Sequence, residues 1–128
     1  MGGMENNRVL VIDDEEAVCR AINRLLRARF TVVMADSGPR ALEILRRDDG
    51  FAAIILDLVM PEVSGMDVVE WIEKNRPHLC EHVVVLTGGV FDGRGKDFLE
   101  RWQGLLLEKP FDPARLLAVV EEAIGGRG

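Results

Sequence analysis

The feature that most limits the fold is a short run, Ala52-Ala53-Ile54-Ile55-Leu56, which leads straight into Asp57 and is closed by Pro61. Asp48-Asp49-Gly50 bounds it on the other side. Apolar throughout and without polar alternation, it reads as a strand buried on both faces. Strands of that kind belong to parallel sheets covered by helices, and ligands there gather outside the carboxyl ends of the strands. A carboxylate at such a place is costly unless it has a partner or a chemical role. Asp57 is therefore the first candidate functional residue.

The rest of the chain alternates in the same way. Arg8-Val9-Leu10-Val11-Ile12 is an apolar run that stops at Asp13-Asp14-Glu15-Glu16. From Glu15 a helical pattern follows, with Val18, Ala21, Ile22, Leu25 and Leu26 on one face and Asp13 or Asp14 as its cap. Residues 30–35 predict a second strand. Ser37-Gly38-Pro39 then caps and opens a helix whose inward residues are Ala41, Leu42, Ile44 and Leu45. After the central strand, Ser64-Gly65-Met66-Asp67 fits a capping box, and Met66, Val68, Val69 and Ile72 form a buried face that Arg76-Pro77 ends. Residues 82–86 predict a fourth strand. A short fourth helix at 94–102 opens among glycines that weaken it by about 1 kcal/mol each relative to alanine. Residues 105–107 make the fifth strand. Asp112-Pro113 caps a last helix that turns Leu116, Leu117, Val120 and Ile124 inward.

This βα alternation predicts an α/β fold, a (βα)5 three-layer sandwich with a parallel sheet and right-handed crossovers. At 128 residues the chain is one domain, assigned to residues 8–125 with tails at 1–7 and 126–128. Met1-Gly2-Gly3 ahead of Met4 has the look of a cloning remnant. The formal net charge of −6 argues against direct binding to nucleic acid or to an anionic membrane. With no basic and apolar leader at the N-terminus, the expected location is cytoplasmic. Cys19 and Cys80 form no CxxC and read as reduced thiols. His78 and His82 are four apart, but Pro77 and the predicted strand separate them, so no metal is expected there. The glycine-rich stretch 88–96 matches neither a phosphate loop nor a dinucleotide fingerprint.

In a parallel sheet, Asp13 and Asp14, Asp57, Thr87 and Lys109 all come to one edge. Like charges about 4 Å apart cost about 4 kcal/mol per pair at an effective dielectric near 20. Either one acid stays protonated or a divalent cation sits among them. Oxygen ligands without His or Cys select a hard ion, Mg²⁺ first, which recruits phosphate oxygens. Lys109 supplies a point charge for a phosphate, and the Thr87 hydroxyl supplies a hydrogen bond. Asp57 is the acid placed to act as nucleophile and form an aspartyl phosphate. Lys109-Pro110 is a candidate for a cis bond.

The acidic pair in Val11-Ile12-Asp13-Asp14-Glu15, the run Leu56-Asp57-Leu58-Val59-Met60-Pro61 with Gly65 after it, Thr87-Gly88, and Glu108-Lys109-Pro110-Phe111 together resemble the receiver domain of two-component response regulators over residues 8–124. The resemblance implies a flavodoxin-like sheet in the order 2-1-3-4-5. It also implies Mg²⁺ held by Asp13 or Asp14, Asp57 and the Val59 carbonyl. A histidine kinase or histidine phosphotransfer protein is the implied donor, through a phosphohistidine. Phosphorylation is then expected to switch interactions with a downstream protein, with phosphorylation-dependent dimerisation a further option. Two contexts are open: a stand-alone receiver, since the chain ends after its last helix, or the receiver of a hybrid sensor kinase, which residues 87–91 and 107–112 resemble. Arg20, Arg24 and Arg27 form a stripe on the first helix, either a solvated face or the docking surface that partners of this family use.

Two departures stand out. The position three before the lysine, aromatic in many receivers, is Leu106, and the chain has no tyrosine. The conformational response is instead expected to run through Thr87, Gly88-Gly89 and the fourth helix, with Phe91 repacking. Val59 and Gly89, two past Asp57 and Thr87, cannot orient a hydrolytic water. The competing class is an Mg²⁺-dependent phosphatase of small phosphoesters with an aspartate nucleophile. Its motif places a second acid where this chain has Val59, which has no proton to give.

Overall fold

The computed structural model describes residues 6–88 and 93–125. Its elements are β1 (Arg8–Ile12), α1 (Glu16–Leu26), β2 (Thr31–Ala35), α2 (Gly38–Arg47), β3 (Ala53–Asp57), α3 (Gly65–Asn75), β4 (Val83–Thr87), α4 (Gly93–Arg101), β5 (Leu105–Glu108) and α5 (Pro113–Gly125). The five strands form one parallel sheet in the order β2-β1-β3-β4-β5. This is the flavodoxin-like order that the sequence predicts.

Every residue of β3 and β4 is buried. Successive side chains of a strand point to opposite faces, so a run without polar alternation needs cover on both. Leu10, Ile12, Ile54, Leu56, Val83 and Val85 pack with Ala41 and Leu45 of α2, Val69 and Ile72 of α3 and Phe98 of α4. Val9, Val11, Ala53, Ile55, Val84 and Leu86 pack with Ile22 and Leu26 of α1 and Leu116 and Val120 of α5. Each fully buried aliphatic side chain contributes roughly 1.5–3 kcal/mol. Truncating Ile55 or Leu56 to alanine would cost on the order of 2–5 kcal/mol.

The helix caps follow the sequence at three places. Ser37 Oγ accepts from the Arg40 amide at 3.2 Å. Ser64 Oγ accepts from the Asp67 amide at 3.2 Å while Asp67 Oδ2 accepts from the Ser64 amide at 2.9 Å, a complete capping box. Asp112 Oδ1 accepts from the Arg115 amide at 2.8 Å.

Elsewhere the structure corrects the expectation. Glu15 is the N-cap of α1 and makes no side-chain cap bond. Asp13 instead accepts from the Glu15 amide at 2.9 Å, tying down the turn ahead of the helix. The buried stripe of α1 is Cys19, Ile22 and Leu26. Val18 and Leu25 are half-buried and Ala21 is exposed, one stripe further round. In α5, Val119 and Ala123 are buried where Leu117 and Ile124 are half-buried at the margin of the same core. Phe30 precedes β2, because its amide still donates to Leu26 O in the closing turn of α1.

His82 lies in a 3₁₀ turn, Pro77–His82, rather than in β4. His78 shares that turn, but at three residues per turn a four-residue spacing places the two rings on different sides. His78 Nε2 is 3.3 Å from Asp49, and His82 Nδ1 is 2.7 Å from Ala123 O. The domain ties itself down ahead of β1: Asn6 Nδ2 donates to Gly50 O at 2.7 Å and the Thr31 amide donates to Asn7 O at 3.0 Å. Among the described residues no helix is long and apolar enough to cross a membrane.

Candidate functional site

The register decides which residues meet. Ile12 pairs with Leu56, Asp57 with Leu86 and Thr87 with Glu108. Asp13 therefore emerges level with Asp57, Thr87 emerges one step beyond on the next strand, and Lys109 two steps beyond on the strand after that. The Lys109 amide donates to Thr87 O at 2.7 Å, which fixes where the lysine leaves the sheet, and Lys109-Pro110 is cis. Three polar or charged side chains are buried among the described residues, and all are here: Asp13, fully buried, Asp57 at 6% exposure, and Thr87.

Lys109 bridges the acids. Its Nζ is 3.0 Å from Asp13 Oδ2, 3.1 Å from Glu15 Oε1 and 3.6 Å from Asp57 Oδ2. Burial by itself would lower the ammonium's pKa. Its contacts with Asp13 and Glu15 and the charge of Asp57 outweigh burial and hold it above the ordinary lysine value. Burial pushes the Asp57 carboxyl up to about 6. The charge of Asp13, and more weakly that of Asp14, adds to the rise, against Lys109 and the Val59 amide. The Val59 amide donates to Asp57 Oδ1 at 3.4 Å.

Asp13, Asp14 and Asp57 each present a carboxylate oxygen within 4.8 Å of the others. Asp14 is exposed and completes the group from the rim. Asp13 Oδ2 is buried and accepts no hydrogen bond, since Lys109, though close, is poorly aligned with it. A buried carboxylate oxygen without a hydrogen bond, in an all-oxygen group, suits a hard divalent cation such as Mg²⁺. The chemistry of the residues present thus fits that ion.

The backbone beneath the acceptor is crowded. A Cβ at Gly65 would lie 2.0 Å from Asp57 O, so only glycine lets the start of α3 sit against the end of β3. A Cβ at Gly88 would meet the Lys109 stem at 3.0 Å. Cys19 Sγ donates to Asp13 O at 3.2 Å, and burial first, then the charge of Asp13, pushes its thiol up to about 11, making it a packing residue.

Asp13, Asp14, Asp57 and Lys109 are brought together as the sequence predicts, with Thr87 on the adjoining strand end. Val59 itself is 59% exposed at the mouth. Gly89 and Phe91 lie outside the described residues. The sequence reading missed Glu15 as a partner of Lys109, because it stands in an acid run that also suits a helix start and its partner is 94 residues away. Arg20, Arg24 and Arg27 are exposed, Arg20 pairing with Glu16 at 3.4 Å.

A family model for the response regulator receiver domain matches residues 9–121. The transcriptional regulatory protein SrrA of Staphylococcus aureus is 29% identical over 117 residues, covering 91% of this chain and 47% of SrrA. The chain thus spans about half the length of the curated relatives it matches. A response regulator receiver domain protein of Clostridium thermocellum is 32% identical with a TM-score of 0.78, covering 92% of this chain and 94% of that one. A response regulator receiver protein of Pseudomonas putida is 26% identical with a TM-score of 0.78, covering 91% and 97%. With the sheet order, the acid edge and the family match in agreement, the chain belongs to the response regulator receiver domains, the phosphoacceptor modules of two-component signalling.

Proposed function

We propose that Asp57 accepts a phosphoryl group from a phosphohistidine on a histidine kinase or histidine phosphotransfer protein, and that the modified domain changes its interactions with a downstream protein. One observation carries this reading: Lys109 Nζ lies 3.0 Å from Asp13 and 3.6 Å from Asp57, between two buried carboxylates at the mouth of the sheet. A lone buried acid would be a liability. This one has a cationic partner and a group of oxygens ready for a cation.

Asp13, Asp14, Asp57 and the Val59 carbonyl would hold Mg²⁺, which when bound supplies positive charge to the transferring oxygens. An Asp57 oxygen attacks phosphorus in line. The O–P bond forms as the N–P bond breaks, and the electron pair leaves with the imidazole nitrogen, which takes a proton from water. The Lys109 ammonium and the Thr87 hydroxyl then face the phosphoryl oxygens. With its pKa at about 6, Asp57 is mostly ionised at neutral pH and competent as a nucleophile. The side chain of Val59 has no polar atom to steer an attacking water, so loss of the phosphoryl group depends on bulk access.

The donor's proposed seat is the groove beside Lys109, a cavity of about 470 Å³ lined by Val18, Ala21, Leu25, Pro110, Phe111 and Pro113. Arg20 and Arg24 are exposed on the same helix as Val18, Ala21 and Leu25. The domain acts on itself rather than turning over a substrate, and its setting is the cytoplasm. Response to phosphorylation runs through α4, since Leu106 is 38% exposed where an aromatic switch would sit. Dimerisation on phosphorylation and the choice between stand-alone and hybrid-kinase context belong to the same reading. The phosphatase alternative finds no proton donor at Val59.

Intact mass after incubation with Mg²⁺ and acetyl phosphate or phosphoramidate tests the assignment. One phosphoryl should appear on the native chain and on Asp36→Asn, an exposed acid at the same sheet edge, and none on Asp57→Asn. Failure of every donor to modify the native chain overturns it.

A further inference from the structure

Lys109 has three carboxylates within reach, and an aligned hydrogen bond goes to the least buried of them. Glu15 Oε1 accepts from Nζ at 3.1 Å. Asp13 Oδ2, at 3.0 Å, accepts no hydrogen bond, and Asp57 Oδ2 is further off at 3.6 Å. Glu15 stands outside the group of acids that could share a metal, and its side chain is 62% exposed. Its own amide is held by Asp13 Oδ1 at 2.9 Å. Glu15 is thus fixed to Asp13 through its backbone while its carboxylate reaches over the mouth to the lysine.

We propose that Glu15 is a positioning residue that acts through Lys109: it offers the ammonium a carboxylate at the rim, so that Lys109 can give up the buried Asp13 oxygen to the cation. This rests on the reading that Asp13, Asp14 and Asp57 hold Mg²⁺. An ammonium and a dication cannot share one buried oxygen, because they repel strongly at such distances. When the ion enters, Lys109 must leave Asp13. With Glu15 present, it already has another carboxylate. With Glu15 neutralised, the remaining partners of Lys109 are Asp13 and Asp57, the oxygens that the ion needs, and the lysine competes with the ion for them. When the phosphoryl group arrives on Asp57, the ammonium needs only to swing from the rim to meet it.

An exposed ion pair contributes up to about 1 kcal/mol, so Glu15→Gln should weaken Mg²⁺ binding up to about fivefold. Neutralising any nearby acid weakens a cation site somewhat, so two comparisons isolate the lysine. Glu16→Gln removes the same charge one residue on, from an acid that pairs with Arg20 instead. Lys109→Gln removes the competitor and leaves a site that still binds the ion.

Isothermal titration of Mg²⁺ into the wild type, Glu15→Gln, Glu16→Gln, Lys109→Gln, the Glu15→Gln/Lys109→Gln double variant and Asp13→Asn gives the answer, with circular dichroism confirming that each is folded. The expected result is a weakening by Glu15→Gln that exceeds that of Glu16→Gln and shrinks to the Glu16→Gln level in the Lys109→Gln background. An equal effect of Glu15→Gln with and without Lys109, or no effect at all, overturns the positioning role. Absence of Mg²⁺ binding to the wild type, or full binding by Asp13→Asn, overturns the metal reading beneath it. The two failures are therefore told apart.

Discussion

Replacing Asp57 by asparagine should make the metal-free protein more stable, and the gain should depend on pH. Asp57 is 6% exposed, and burial first, then the charge of Asp13, raises its carboxyl from an ordinary 3.8 to about 6. A raised pKa means that the native state binds this proton more tightly than the unfolded chain does. The stability tied to the group is fully present below about pH 4 and is lost as pH rises through about 6. Once the carboxylate is ionised in both states, the native state is worse off by about 3 kcal/mol. At pH 4.5 the difference is only about 1 kcal/mol, because the native acid is still protonated. Asparagine keeps the shape and removes the titration, so Asp57→Asn should gain up to about 3 kcal/mol at pH 7.5. Urea unfolding in EDTA would show this as a midpoint raised by on the order of 1–2 M, with a smaller gap at pH 4.5. Adding Mg²⁺ at ten times its dissociation constant should return about 1.4 kcal/mol to the wild type and less to the variant. Asp57→Asn no more stable than the wild type at pH 7.5, or a gap that does not narrow toward pH 4.5, would refute the reasoning.

Three other substitutions test neighbouring parts of the site. Gly65→Ala puts a Cβ where Asp57 O already sits, 2.0 Å away, and because backbone cannot give way cheaply, the cost should be about 1–3 kcal/mol in urea unfolding; an unchanged midpoint would contradict the packing described. Val59→Asn places an amide at the exposed mouth and should speed loss of the phosphoryl group severalfold, followed by intact mass over time; no change or a slowing would count against the bulk-water account. Arg94→Ala removes the link at 2.7 Å to Asp67 and the longer one to Glu70, and should lower hydrogen-exchange protection across α4 while global stability falls by less than about 1 kcal/mol. Unaltered exchange in α4 would show that the arginine does not restrain it.

Much of this was legible because burial leaves a strand few choices. Ile54, Ile55 and Leu56 have no polar neighbour to turn toward water, so both faces of β3 must be covered, and helices between parallel strands are the way to cover them. Once the strands are parallel, Asp13, Asp57, Thr87 and Lys109 have to share an edge. Rotation about a helix axis is less constrained. Val18, Ala21 and Leu25 repeat with the same spacing as Cys19, Ile22 and Leu26, and only contact with the sheet and α5 decides that the second stripe is the buried one. The first stripe instead lines the groove beside Lys109. The turn at Pro77–His82 was hidden because His82 abuts an apolar run and a 3₁₀ turn has no periodicity of its own over six residues. Glu15 was hidden for a different reason: its role is a contact with Lys109, and nothing local announces it.

The remaining question is how a charge on Asp57 is felt elsewhere when the aromatic position is leucine. β5 alternates, with Leu105 and Leu107 buried and Leu106 turned outward. Repacking an outward aliphatic side chain moves little apolar surface, so Leu106 has little to signal with. Besides the packing of Phe98 in the core, two connections among the described residues lead from the site to α4. One is covalent, through Thr87 and Gly88, the latter set against the Lys109 stem. The other runs through packing: the end of β3 abuts Gly65, Gly65 opens the helix whose capping box contains Asp67, and Asp67 accepts Arg94 of α4. Beyond Arg94, α4 rests on Phe98 stacked with Trp102 at 5.6 Å, and the Trp102 indole is anchored to Leu105 O. Gly93, with φ of +50°, and Gly95 leave the start of this helix with little propensity of its own. The start of this helix is thus held by exposed charge and its end by aromatic packing. In the proposed mechanism, a small displacement of the acceptor strand end therefore reaches α4 through the Arg94 link, with no aromatic side chain required to move.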